Sequence, residues 1–158
     1  MDKGEVIAQF LRLRRIGVVG VSRSGKEFGA TAFRELVQHG YTVLPVNRES
    51  GNIDGFPFVT SVRDLKGKVE GILLVVPPNE AVAVIADAHA AGINHVWMQQ
   101  GAESKEAIQF CRDHQILEVH GECLLMFLAH EKFPHSMHRV FRRLTGRLPR
   151  LPAAEPVA

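Results

Sequence analysis

The chain has 158 residues, of which 46% are hydrophobic and 23% charged, and its formal net charge at pH 7 is +2. That length buries one full core but leaves no room for a second domain of comparable size. The small net charge argues against nucleic acid as a partner, and two cysteines, Cys111 and Cys123, are too few for a disulfide framework. The first residues, Met1-Asp-Lys-Gly-Glu5, lack the basic segment and apolar run of a signal peptide, and no apolar stretch reaches membrane-spanning length. A cytoplasmic protein without a membrane partner is expected.

Val6, Ile7, Phe10 and Leu11 recur at helical spacing and predict a leading helix over residues 3–13. Ile16 to Val21 reads as a first strand, followed by a loop holding Gly20, Ser22, Ser24, Gly25 and Gly29. Ala30 to His39 forms a helix with Ala32, Phe33, Leu36 and Val37 on one face, and Gly40 stops it. Thr42 to Val46 is a second strand. Residues 48–68 are polar and Gly-rich, with an apolar patch at Phe56 to Val59 and a turn of helix at Val62 to Leu65. Gly71 to Val76 is apolar on both faces, as a central parallel strand should be, and Pro77-Pro78 ends it. A helix from Glu80 to Ala91, a strand from His95 to Met98, a helix from Ser104 to His114 and a strand from Ile116 to Val119 complete the alternation. Strands separated by helices imply right-handed crossovers and an α/β fold with a doubly wound parallel sheet. Trp97, on a buried strand, is expected in the core.

This domain is expected to occupy residues 1–130. Residues 131–150 predict a basic amphipathic helical arm, in which Met137, Val140, Phe141 and Leu144 form an apolar stripe flanked by Arg139, Arg142 and Arg143. Gly146 and Pro149 interrupt it too soon for a membrane-surface helix, so a homo-oligomer contact is the expected use of the stripe. Residues 151–158 read as a disordered tail.

Ligands of such sheets sit at the carboxyl ends of the strands. The loop after the first strand combines glycines with the start of a helix, where backbone N–H groups and a positive dipole end favour a phosphate. Gly20, Val21, Ser22, Arg23, Gly25 and Lys26 are the candidates there. Asn47 and Arg48 after the second strand, Val76, Pro77 and Pro78 after the third, and Gln99 and Gly101 after the fourth complete the candidate cofactor-binding set.

A Walker pattern is matched by Gly20, Gly25 and Lys26, but Glu27 replaces the hydroxyl that holds magnesium, which argues against an NTPase. The dinucleotide fingerprint fits Gly20 and Gly25, with Ser22 in place of the middle glycine. The second strand ends in Asn47-Arg48 and not in an acid, which disfavours NAD and leaves NADP open, with Arg48 against an extra ribose phosphate. Coenzyme A carries a ribose phosphate too.

Several short motifs recur in a fixed order: Val19-Gly20-Val21-Ser22, Gly40-Tyr41 leading to Pro45-Val46-Asn47, Ile53-Asp54-Gly55, Ser61-Val62-Arg63-Asp64-Leu65, Val75-Val76-Pro77-Pro78 and Val96-Trp97-Met98-Gln99-Gln100-Gly101. In this order and spacing the stretch from Arg15 to Cys123 resembles the standalone bacterial CoA-binding proteins. Their Rossmann-like domain is similar to the N-terminal domain of the succinyl-CoA synthetase alpha subunit. The chain departs from the family pattern at Arg48, where Pro is frequent, and at His120-Gly-Glu-Cys-Leu124, where the family has D-[RK]-C-P. The resemblance implies that a single domain binds CoA or an acyl-CoA. It also implies no catalysis by this chain alone, since the synthetases carry their catalytic histidine and grasp fold on further domains. An NADP-dependent oxidoreductase and an adaptor with a vestigial nucleotide site are the alternatives. The only Tyr is Tyr41, so no Tyr-x-x-x-Lys pair supports the oxidoreductase.

His120 with Cys123, and His135 with His138, match no standard zinc spacing, and no third residue orients His120 and Cys123 as base and nucleophile. Neither metal nor catalytic residues are expected. A side chain at Gly20, as in Gly20→Val, is expected to obstruct a diphosphate and to strain the turn, leaving a folded but weakened domain that does not bind.

Overall fold

The computed structural model describes residues 1–128. The arm, the tail, His135, His138 and the oligomer contact expected of the arm all lie outside the described residues.

Helix α1 (Lys3–Arg12) opens with a capping box. Asp2 Oδ1 accepts the Glu5 amide at 2.9 Å and Glu5 Oε2 accepts the Asp2 amide at 2.8 Å. Strand β1 (Arg15–Val19) follows, then α2 (Phe28–Gln38) and β2 (Thr42–Val46). The segment read as polar and Gly-rich holds a small antiparallel hairpin, β3 (Asn52–Ile53) with β4 (Phe56–Pro57), and a 3₁₀ turn at Val62–Leu65. Its Asp54-Gly55 corner has φ of 50° and 84°, the positive angles a two-residue hairpin requires. Then come β5 (Gly71–Leu74), α3 (Pro78–Ala90), β6 (His95–Gln99), α4 (Lys105–Asp113), β7 (Leu117–Glu122) and α5 (Leu124–Leu128).

The main sheet has the order β2-β1-β5-β6-β7, and every pairing in it is parallel. The expected doubly wound parallel sheet is thus observed. Central strands β1 and β5 are buried on both faces, apart from Arg15 at the entry. One core layer packs α1, α2 and α5 on the sheet through Phe10, Phe33 and Leu124, with Trp97 fully buried among them. Phe10 and Phe127 meet the Trp97 ring edge-on at 5.4 and 5.5 Å, and its indole N–H donates to the Glu122 carbonyl. The other layer packs the 3₁₀ turn, α3 and α4 through Leu65, Ile85 and Cys111.

Several boundaries differ from the sequence expectations for physical reasons. Strand β1 ends at Val19 and not Val21, because the Gly20 and Val21 amides both turn to the Val46 carbonyl. Strand β5 ends at Leu74, and α3 begins at Pro78 and not Glu80, since proline suits the first helical position. Strand β7 runs on to Glu122 through a bulge against β6, where Gly121 supplies a φ of 69°. Among the described residues no helix is long and apolar enough to cross a membrane.

Candidate functional site

Strand order reverses at β1. The chain moves from β1 outward to β2 and then returns to β5 on the other side, so α2 and α3 lie on opposite faces. Loops diverge at such a point and leave a crevice beyond the strand ends. A cleft of about 620 Å³ lies there, within the range of small-molecule sites.

Its floor is the loop after β1. Gly20 has a φ of 101°, and a Cβ on it would lie 2.0 Å from the Val75 carbonyl oxygen. The backbone therefore lies flush against the end of β5. Gly29, the second residue of α2, presses the same loop from the other side, for its Cβ would lie 2.5 Å from the Gly20 oxygen. Gly29, rather than Gly25, is thus the glycine that allows close helix–strand packing. Eight residues between the two glycines, Val21 to Phe28, make a longer loop than the simple fingerprint provides.

Within this loop the Ser24 amide donates to Ser22 Oγ, the Gly25 amide to the Ser22 carbonyl, and the Lys26 amide to Ser24 Oγ. The amides of Ser22, Arg23, Glu27, Phe28 and Gly29 have no partner among the described residues. Helix α2 also has no side-chain cap and no acid in its first turn. Those donors and the dipole of α2 make the loop chemically suited to an anion.

The sequence candidates divide between the cleft and its surroundings. Gly20, Val21, Ser22, Arg23, Asn47, Arg48, Val76 and Pro77 line the cleft. Asn47 spends its side chain on the protein, with Nδ2 donating to the Val21 carbonyl at 2.7 Å and Oδ1 accepting the Glu49 amide at 2.8 Å. It ties the loop after β2 to the loop after β1. Arg23 pairs with Glu49 at 2.6 Å and Arg48 with Glu80 at 2.9 Å.

Gly25, Lys26, Pro78, Gln99 and Gly101 are not among the lining residues. The Gly25 carbonyl accepts Arg34 Nη1, and Arg34 grips Asp54 with both Nε and Nη2, fastening the loop to the β3–β4 hairpin. That forked pair holds the Asp54 carboxyl below its usual range and raises the Arg34 guanidinium. Lys26 is exposed, with no ion pair among the described residues. Pro78 is the first residue of α3. Gln99 is buried and its Oε1 accepts the Leu124 amide, so it anchors α5. Gly101 forms the turn after β6, with its amide on Glu103 Oε2.

Sequence reasoning missed the second wall. Glu80, Ala83, Val84 and Asp87 line the cleft at positions i, i+3, i+4 and i+7 of α3, one helical face. Thr60, Ser61 and Val62 lie beside them at the start of the 3₁₀ turn. The period along α3 was readable, but which face met the cleft depended on its rotation over the sheet. Arg63, on the 3₁₀ turn, pairs with Asp87 at 2.8 Å.

The family model for the CoA binding domain matches residues 14–129. The chain belongs to the CoA-binding domain family. This family member is 28% identical over 132 residues to the alpha subunit of an ADP-forming acetate–CoA ligase of Pyrococcus furiosus, covering 77% of this chain but 29% of that one. It is 26% identical over 129 residues to the uncharacterized protein YneT of Bacillus subtilis, covering 81% of this chain and 90% of YneT. Among solved structures, a conserved hypothetical protein from Pyrococcus furiosus superposes with a TM-score of 0.68 at 34% identity, covering 72% of this chain and 97% of that one.

The family's fifth-strand element is occupied here by a different arrangement. His120 Nδ1 lies 2.7 Å from Glu118 Oε2, and Cys123 sits half-buried between β7 and α5. Among the described residues no group of three or more His, Cys, Asp or Glu could hold a metal.

Proposed function

We propose that this CoA-binding domain holds coenzyme A or an acyl-CoA in the switch-point cleft, as a binding module without catalysis of its own. The observation that carries this reading is the loop from Gly20 to Gly29, where Ser22, Arg23 and Glu27, whose amides are unpaired among the described residues, line the cleft at the uncapped start of α2. A diphosphate would lie along the amides of Ser22 and Arg23, with Arg23 and Arg48 within the same cleft for the remaining phosphate charge. The pantetheine arm would run along Val75, Val76, Ala83 and Val84, an apolar strip between two polar ends. The Asn47 side chain is committed to the fold, tying the loops after β1 and β2 together at the mouth of the cleft.

Thermal shift and calorimetry with CoA, acetyl-CoA, NADP, NAD and ATP side by side test this. A ligand at ~100 times its Kd adds about 2.7 kcal/mol of stability. CoA or acetyl-CoA should give the largest shift at equal concentration. A large shift with NADP and none with CoA overturns the reading in favour of an oxidoreductase cofactor site. No shift with any of them favours an adaptor with a vestigial site.

A further inference from the structure

The two arginines of the cleft are both paired with carboxylates of the cleft itself. Arg48 stands on the loop after β2, and Glu80 stands in the first turn of α3, so their 2.9 Å contact joins two walls. The Arg48 side chain is 79% exposed and that of Glu80 36%.

We propose that Glu80 sets ligand affinity by holding Arg48 across the cleft until a phosphate of the ligand takes the arginine over. The proposal rests on the CoA reading and names the protein group with which the ligand must compete. An exposed arginine–carboxylate pair contributes little, because solvent screens it and both side chains lose freedom in forming it. A dianionic phosphate monoester offers the guanidinium a stronger, forked contact. Release also leaves Glu80 in a favourable place, since a carboxylate in the first turn of a helix interacts with the positive dipole end. The exchange therefore runs toward the ligand, but the free protein's pair is subtracted from the binding energy. Removing the carboxylate removes that subtraction.

Asp87 provides the internal control. It lines the same cleft on the same face of α3, yet its partner is Arg63 and not Arg48. Calorimetry at low ionic strength should compare the wild-type chain, Glu80→Gln and Asp87→Asn against CoA and dephospho-CoA, which lacks the ribose phosphate. Glu80→Gln should bind CoA about three- to five-fold more tightly, the range that loss of one exposed pair allows. Dephospho-CoA should change by less than two-fold, and Asp87→Asn, which keeps the Arg48–Glu80 pair, should change both ligands by the same factor. An unchanged ratio of CoA to dephospho-CoA affinity in Glu80→Gln overturns the proposal while leaving the CoA reading intact. So does a rise of that ratio in Asp87→Asn equal to the rise in Glu80→Gln, which would reduce the effect to overall charge. If the wild-type chain binds neither ligand, the CoA reading and this proposal both fall.

Discussion

Gly20→Ala should be far more damaging than a glycine-to-alanine change at an ordinary turn. Gly40 is the natural reference, with a φ of 86° and no atom within 4 Å of an added Cβ, so alanine there meets backbone strain alone. That strain is worth roughly 1–2 kcal/mol in the left-handed region. At Gly20 the same strain recurs at a φ of 101°, and the new methyl also falls 2.0 Å from the Val75 oxygen and 2.7 Å from its carbonyl carbon. Neither atom can rotate away, because the Val75 amide is bonded to the Val19 carbonyl at 2.8 Å, beside the Val19–Leu74 pairing of the central strands. Relief requires β1 and β5 to part at their ends, an overpacking cost of about 1–3 kcal/mol or more. The total approaches 4 kcal/mol, a large share of the roughly 5–15 kcal/mol that holds a domain together. With an m-value of about 2 kcal/mol/M, the urea midpoint should fall by roughly 2 M for Gly20→Ala and by less than 1 M for Gly40→Ala. Equal midpoints in the two variants would refute the claim that this backbone is pressed against β5. The sequence-based expectation of a folded, weakened and non-binding Gly20 variant thereby acquires a physical cause for the weakening: the collision is with the protein's own strand, before any ligand arrives.

Asn47→Ala should lower stability by about 2 kcal/mol, since it loses hydrogen bonds to Val21 and Glu49 at about 1 kcal/mol each, and calorimetry should show weaker CoA binding as the two loops come apart. Burial, with the nearby Glu118 charge adding to it, pushes the Cys111 thiol up to about 12, so a thiol reagent at pH 8 should label Cys123 in the native protein and Cys111 only after denaturation. Backbone amides of Arg14 and Arg15, at 2.8 and 2.9 Å, hold the Glu70 carboxyl below its usual range. The stability this contributes is complete above the unfolded glutamate value of about 4.3 and is lost as pH falls through the lowered folded value. A plot of melting temperature against pH should therefore flatten in that acid region in Glu70→Gln.

The alternation of apolar strands and helical faces was legible because parallel strands buried on both sides leave an uninterrupted apolar run. Gly71 to Leu74 is the plainest case, with all four residues buried. Trp97 was readable as core for the same reason. The β3–β4 hairpin was harder, since two-residue strands carry no period and only the Asp54-Gly55 corner signalled it. Strand ends were misjudged where local apolarity continued past the last ladder bond. Val21, Val75 and Val76 look like strand in sequence, yet the Val21 and Val75 amides close on Val46 and Val19, the last residues of β2 and β1, and all three valines line the cleft wall beyond the ladder.

The cleft's electrostatics were the least legible part, and the reason is geometric. A sequence presents Arg23 and Arg48 as cations beside a Gly-rich loop. Their partners, Glu49 and Glu80, stand 26 and 32 residues further on. Those partners come within reach only because β2, β1 and β5 are neighbours, which brings the loop after β2 and the first turn of α3 over the end of β1. Strand order, which no local pattern encodes, thus decides which charges cancel. In the folded cleft four acids, Glu27, Glu49, Glu80 and Asp87, line the walls with two arginines, so side-chain charge alone does not favour an anion. The backbone does: the unpaired amides from Ser22 to Gly29 keep their polarity whatever the arginines do. A phosphate should accordingly be positioned by the loop and selected by the arginines. Loss of either arginine should then weaken binding several-fold, whereas distortion of the loop at Gly29 should abolish it. Gly29→Ala, whose Cβ would lie 2.5 Å from the Gly20 oxygen, separates these roles. A folded Gly29→Ala protein that binds CoA as tightly as wild type would show that the arginines, and not the amides, hold the phosphates.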